Sequence, residues 1–534
     1  MKKIRDRLIL FVRGKFGEKS YREIIGWSFL AVAALVGLWT IRWGISDVEG
    51  DALVTGFQMG NGKFLYRDVF SHHFPFIYFW STAALALFGK SIYLIRASVW
   101  LFQLVVFATL MILCRYYLTI GITALIWSLL RHMYSINMLI YQSFSAVAVI
   151  GVFALTLFIL LERDRSDYRH FLAIAVLSTI GILSDPLTIY PVGIALLLLW
   201  IRFPRIGFVT SLTLGGFAIV FLAYLAITGT FSEFISGAIR FNSEVYARYN
   251  SGFSSPWRFS RLGDQLWSGF GIMDKRFLNV DPFRAISTAP SDIDRWIFTG
   301  FLYRLAGLIA VLIFLFGRKF SAAVFQYTYI AAAMAIAYWG HRGASFIALS
   351  IFILSWIISQ DWWPYLEGVR WGFVRHVGTV VIGAMVAWLG FRVVTFTQNN
   401  LPSKNYIATL HAFQLEVNEL LDLTCEQANV QLIYYPSPVY PYFLAELEAV
   451  SGYYYMWPWV AEIGLPEVMD ELRREDALVV ADRRNNSLVF RQYPTREYLK
   501  PLDDFLRETY IEVEKGLYIS PALDARCTAQ DLSN

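Results

Sequence analysis

Three carboxylates fall within five residues at Asp47-Val48-Glu49-Gly50-Asp51, directly after the first long apolar run. They are followed by Gly60-Asn61-Gly62-Lys63, Tyr66-Arg67-Asp68, His72-His73 and Pro75, after which apolar sequence resumes. In an extended segment Asp47, Glu49 and Asp51 share one face, because side chains alternate with period two. Carboxylates that close repel, so at least one should titrate high unless a cation is near. That describes a general base or a divalent-cation site. The bland alternative is a solvated acidic loop between two spans. Its place at a helix end, followed by further groups capable of catalysis, favours chemistry.

Other polar residues stand out against apolar surroundings. Asp68 lies within a helical turn or so of His72 and His73, and a lipid headgroup zone would disfavour an acid there. Asp185, in Leu183-Ser184-Asp185-Pro186, sits between two short apolar runs. A polar break at membrane depth is tolerated only inside protein or along a cavity, and an acid there is a functional candidate; a short outer loop is the alternative. His341-Arg342 interrupts a long apolar stretch, and an arginine at the outer end of a span suits a phosphate. Arg240 is a second candidate phosphate ligand. The sequence contains no Ser–His–Asp order, zinc-type Cys/His spacing or Gly-rich nucleotide loop.

The elements that must position these groups are mostly membrane helices. Of 534 residues, 57% are hydrophobic and 16% charged, against about 25% charged in soluble domains. Apolar runs predict spans at about 24–43, 74–89, 92–114, 117–134, 137–161, 170–183, 187–201, 206–229, 297–317, 321–339, 343–360 and 376–396, for a total of 11–13. The basic N-terminus, with eight Lys/Arg in residues 1–23, places that end in the cytoplasm. Loops 44–73 and 230–296 then face outward. The basic loops from residue 162 onward alternate consistently, but an even number of spans between 73 and 161 leaves one crossing unaccounted for. Segment 117–134, closed by Arg131-His132, is the expected miscount, unless a short span is hidden nearby.

Residues 1–396 read as the membrane domain. From 397 to 534 charge returns, with buried strands expected at Val430–Tyr435, Ala477–Ala481 and Leu517–Ser520 and helices at 405–423, 463–475 and 501–509. The fold class is thus a mainly α polytopic membrane protein with a C-terminal α/β extracytoplasmic domain. Cys425 and Cys527 could pair if that domain lies outside the cytoplasm; their spacing leaves the question open. Net charge of +5 is a topology signal and gives no reason to expect nucleic acid.

The first loop resembles that of the integral-membrane GT-C glycosyltransferases, in the bacterial branch related to protein mannosyltransferases and aminoarabinose transferases. The shared features are a first span, an acidic pair, Asn61-Gly62, Tyr66-Arg67-Asp68-Val69-Phe70, a His and Pro75, covering residues 24–90. The resemblance implies transfer of a sugar from a polyprenyl-phosphate donor to a glycan, lipid or protein acceptor, at the outer face of a bacterial cytoplasmic (inner) membrane. It places the family's acidic pair on Asp47 and Glu49, with Val48 between them. One of these would be the general base, and the same two could hold a divalent cation; no other cofactor is expected. Asp68, His72, His73, Asp185, Arg240, His341 and Arg342 are expected to bind substrate or carrier, and Asp51 to be a solvated neighbour. An O-antigen-type polymerase or ligase working through Arg-rich outer loops, or a lipid-linked-sugar flippase, are the competing classes.

Overall fold

The computed structural model describes residues 2–42, 44, 46–134, 136–249, 321–322, 324–326, 328–330, 343–359, 415, 418, 431–435, 439–444, 446, 452–474, 478–482, 489–490, 493–514 and 517–531. His341, Arg342, Cys425 and the predicted spans 297–317 and 376–396 lie outside these residues, as does the side chain of Cys527. The chain is a mainly α multi-pass membrane protein with a C-terminal α/β segment. Four helices among the described residues are long and apolar enough to cross a membrane: Tyr21–Thr40, Ile92–Cys114, Tyr141–Leu161 and Pro204–Ile227. Contacts divide the chain into two compact units. One holds Met1–Trp43, Arg96–Val220 and Pro256–Lys404; the other holds Gly44–Ile95, Phe221–Ser255 and Asn405–Asn534.

The first unit is a helix bundle. Its helices are α1 (Lys2–Thr40), α4 (Ile92–Cys114), α5 (Tyr117–Leu130), α6 (Tyr141–Leu161), α7 (Tyr168–Ser184), α8 (Ile189–Arg202) and α9 (Pro204–Ile227). Helix α6 is apolar all round and buried from Ser143 to Leu161, as a helix at a bundle centre must be. The directions of the helices can be read from their contacts. Gly26 of α1 abuts Tyr117 and Gly121 at the start of α5, while Gly37 and Thr40 meet Arg131 just past its end, so α1 and α5 run parallel. Helix α4 runs against both: Trp100 near its start donates to Ala34 O at 3.1 Å, and Met111 near its end reaches Gly26. Helix α6 follows α4, with Gln103 donating to Ser143 O at 2.9 Å. Helix α7 turns back, stacking His170 on Phe158 and setting Leu177 on Gly151.

Direction therefore alternates along α1, α4, α5, α6 and α7 without α3 (Phe76–Phe88), which intervenes in sequence between α1 and α4. That accounts for the missing crossing and corrects the expected miscount. The run at 74–89 is the one to remove, and 117–134 stays. Arg131 is likewise no loop residue. It is fully buried, its guanidinium stacks on Trp100 at 4.1 Å, and it donates to Gly37 O and to Thr40 Oγ1. Arg96 donates to Ile41 O at 2.9 Å, and Asn137 to Thr40 O at 2.8 Å. These donors satisfy carbonyls that the end of α1 leaves without partners inside the helix, and a cation there is favoured by the helix dipole.

The second unit holds the first loop, the segment after α9 and the C-terminal residues. The loop is built of α2 (Asp47–Gly60) and α3, which cross closely at Gly56, where a Cβ would lie 2.5 Å from Ser81 Cβ and 3.0 Å from Thr82 N. After α9 come a short helix α10 (Phe231–Phe234), a π-helix at Ile235–Tyr246 and α11 (Ala247–Tyr249). π-Helical stretches are rare and cluster at functional sites. The C-terminal residues form a four-stranded mixed sheet. β1 (Gln431–Tyr435) is parallel to β2 (Leu478–Asp482), which is antiparallel to β6 (Leu517–Ile519), itself antiparallel to β5 (Ile511–Glu514). The three strands expected from sequence fall within a residue or so of their observed bounds. Helices Pro458–Arg474 and Lys500–Thr509 follow the expected pattern.

Candidate functional site

The acidic cluster is helical, which overturns its extended reading. Helix α2 begins at Asp47, with Ser46 as its cap residue. Two residues along a helix are about 200° apart around its axis, so Glu49 and Asp51 meet different neighbours. Glu49 is fully buried and its Oε2 accepts from the Tyr440 hydroxyl at 2.9 Å. Gly50 allows this approach, because a Cβ there would lie 2.9 Å from Val439 Cγ2 and 3.3 Å from the Tyr440 ring. The side chain of Asp47 lies outside the described residues.

Asp51, expected to be solvated, is 7% exposed. Its Oδ2 accepts from the Tyr78 hydroxyl at 2.6 Å. The Tyr78 oxygen in turn lies 2.6 Å from Ser71 Oγ, and Ser71 Oγ accepts from the His73 backbone N–H at 3.0 Å. With Asp51 ionised, every donor in this chain points the same way, from His73 N–H through Ser71 and Tyr78 to the carboxylate. Burial raises the Asp51 carboxyl to about 7, with the Tyr78 hydrogen bond opposing. The expectation that one carboxylate of the cluster titrates high is met here by desolvation rather than by repulsion between acids.

Asp51 opens onto a narrow recess with Val48, His72, His73, Val439, Tyr455 and Trp457. His72 is buried, and its Nδ1 lies 3.0 Å from the Tyr455 hydroxyl. The His72 and His73 rings are 4.0 Å apart. Burial first, then the Asp51 charge, pushes the Tyr455 phenol well above its ordinary range, so it keeps its proton. The π-helix holds this corner. Asn242 Nδ2 donates to His72 O at 2.6 Å, Phe241 packs on Phe70 and His72, and Tyr246 packs on His72 and Trp459.

Asp68 serves its own loop. Its Oδ2 accepts from Phe64 N at 2.7 Å and its carboxylate pairs with Arg67, which first among causes holds the carboxyl below its usual range. Tyr66 takes a left-handed backbone (φ 72°) so that its hydroxyl reaches His73 O at 2.9 Å. Phe70 N then donates to Gly452 O at 2.9 Å. Arg240 is exposed on the π-helix. In the first unit, Asp185 is buried and caps the turn at Pro186–Thr188, accepting from Leu187 N at 3.1 Å.

Sequence reasoning thus brought His72 and His73 to the same corner as the acidic helix, and missed Tyr78, Ser71, Tyr440, Tyr455 and Trp457. The one signal for the missed wall was the run Tyr453-Tyr454-Tyr455-Met456-Trp457-Pro458-Trp459, dense in aromatics for a domain otherwise rich in charge. Among the described residues no three His, Cys, Asp or Glu side chains converge as an ion site.

No protein-family model matches the chain, and no curated protein matches it. Among solved structures, it is similar to ArnT from Cupriavidus metallidurans bound to undecaprenyl phosphate, at 14% identity and TM-score 0.46, over 93% of this chain and 98% of that one. The apo form of the same protein gives 15% identity and TM-score 0.44, over 93% and 97%. The archaeal oligosaccharyltransferase AglB from Archaeoglobus fulgidus, in complex with an inhibitory peptide and a dolichol-phosphate, gives 11% and 0.44, over 85% and 69%. Likeness at this level says nothing of which side chains do chemistry.

Proposed function

We propose that the chain is a membrane glycosyltransferase that moves a sugar from a polyprenyl-phosphate-linked donor to an acceptor hydroxyl, at the outer face of a bacterial cytoplasmic membrane. The N-terminus is then cytoplasmic and the C-terminal α/β segment extracytoplasmic. The observation that carries this reading is Asp51, a carboxylate raised by burial to about 7 and facing a recess lined by two histidines and two aromatic rings. A base poised near ambient pH suits deprotonation of a hydroxyl.

In the reaction the acceptor O–H gives its proton to Asp51, and the freed oxygen pair bonds the anomeric carbon. The bond from that carbon to the phosphate oxygen breaks, and its electron pair leaves on the phosphate. A single displacement of this kind inverts the anomeric centre. Arg240, exposed on the π-helix of the same unit, is the cation proposed for the departing charge. Support comes from the first-loop motif, from a composition that gives a lipid carrier apolar surroundings, and from the burial of Asp51. Glu49, closed off by Tyr440, becomes a structural acid of the helix.

The test is transfer from a radiolabelled polyprenyl-phosphate sugar by purified variants. Asp51→Asn should lower the rate at least about a hundredfold, the usual worth of a general base, with insertion and folding intact. Full activity in Asp51→Asn, with loss in Asp47→Asn or Glu49→Gln, would overturn the assignment.

A further inference from the structure

Resting on the reading of the recess as the transfer site, we propose that its acceptor is a neutral sugar hydroxyl, presented by a pyranose ring stacked on Trp457 at the recess mouth. Two sets of observations lead there. The first is charge. Among the described residues that line the recess, Asp51 is the acid and no Lys or Arg is present. An anionic acceptor such as a phosphate would meet the carboxylate with no Lys or Arg among the described lining residues to offset it. A neutral hydroxyl has no such penalty, and the carboxylate accepts its hydrogen bond directly.

The second is the wall. Trp457 is only partly buried, and its ring lies 5.3 Å from that of Tyr455 and 5.2 Å from that of Trp459, which fix its orientation. Val48 and Val439 complete an apolar rim beside His73. A held aromatic face next to a few polar groups matches a sugar, which offers C–H bonds on one side of the ring and hydroxyls at its edge. The C-terminal segment thus takes on a specific role, supplying the acceptor platform through Tyr455 and Trp457. A serine or threonine peptide would leave that face without a ring to meet.

Saturation-transfer NMR on the full chain in nanodiscs, with no donor present, tests the substrate class apart from the chemistry. The probes are methyl glycosides of common hexoses, the corresponding hexose phosphates and a short Ser/Thr peptide. Ring C–H protons of at least one methyl glycoside should receive saturation, and its phosphate should compete poorly. Trp457→Ala should weaken binding roughly tenfold, the scale of one lost ring contact, while Trp457→Phe retains most of it. Asp51→Asn should still bind the glycoside but fail to transfer sugar, which separates acceptor recognition from the base. Equal or tighter binding of the hexose phosphate or the peptide, in the wild-type chain alone, overturns the proposal. So does glycoside binding that ignores Trp457→Ala.

Discussion

The Tyr78 hydroxyl donates to the Asp51 carboxylate at 2.6 Å while its oxygen lies 2.6 Å from Ser71 Oγ, so α3 supplies the contact that opposes the effect of burial on an acid of α2. One phenol holds the ionised form of the carboxylate that burial opposes.

Removing that phenol should move the pH dependence of activity. If Asp51 is the proposed base it works ionised, so the rate should rise with pH through its value of about 7. In Tyr78→Phe the charged form loses its donor, and the acid limb of kcat/KM should shift to higher pH by about one unit, the worth of a hydrogen bond to a charged group. A pH–rate profile that keeps its limb while the rate falls would assign Tyr78 a packing role only.

Asp51 should also cost stability at alkaline pH. Its folded-state value is raised by burial from the ordinary 3.8 to about 7. Its relative contribution is therefore fully present below the unfolded value and lost as pH rises through the folded one. Asp51→Asn, which cannot ionise, should melt close to wild type at about pH 3.5, below the unfolded value, and above it at pH 9. The difference should be on the order of a few kcal/mol at most. Melting curves at the two pH values read this directly.

The crossing of α2 and α3 leaves little room at Gly56. Gly56→Ala places a methyl against Ser81 and the backbone N of Thr82, and should destabilise by about 1–3 kcal/mol despite a better helix propensity. Gly50→Ala meets side-chain atoms of Val439 and Tyr440 instead, which can give, so its cost should be smaller. Thermal unfolding of the two variants side by side decides the order.

In the bundle, Arg131→Met should be more damaging than its hydrophobic character suggests. It strips a donor from Gly37 O and Thr40 Oγ1 and a cation from the Trp100 face. A loss of about 2–4 kcal/mol is expected, and Arg131→Lys should recover only part, since a point charge replaces a fork. Detergent-solubilised melting temperatures provide the comparison.

Much of the architecture was readable because helix and strand periods are local. Runs such as 92–114 and 206–229, and the strands at 431–435 and 478–482, came through within a few residues. The acidic cluster was found by composition but misread in conformation, since Val48 and Gly50 between acids suggest a loop. Only the aromatic segment pressing on Gly50 shows why a helix is stable there. The same cause hid Asp51. Its burial comes from Tyr78 and Tyr455, residues with no local relation to it in sequence. Asp68 looked chemical because of its motif, whereas its carboxylate is occupied with Phe64 N and Arg67.

The pairing of Glu49 with Tyr440 spans 391 positions, and that of His72 with Tyr455 spans 383. The acidic helix therefore emerges from the ribosome long before its aromatic wall exists. During that interval Asp51 lacks the Val439, Tyr455 and Trp457 side of its recess. A chain stalled or cut before residue 439 would carry every acid of the first loop and the Tyr78 contact, but not the aromatic wall at Tyr455 and Trp457. Ordering this corner is a late, long-range closure, complete only when nearly all of the chain has been made.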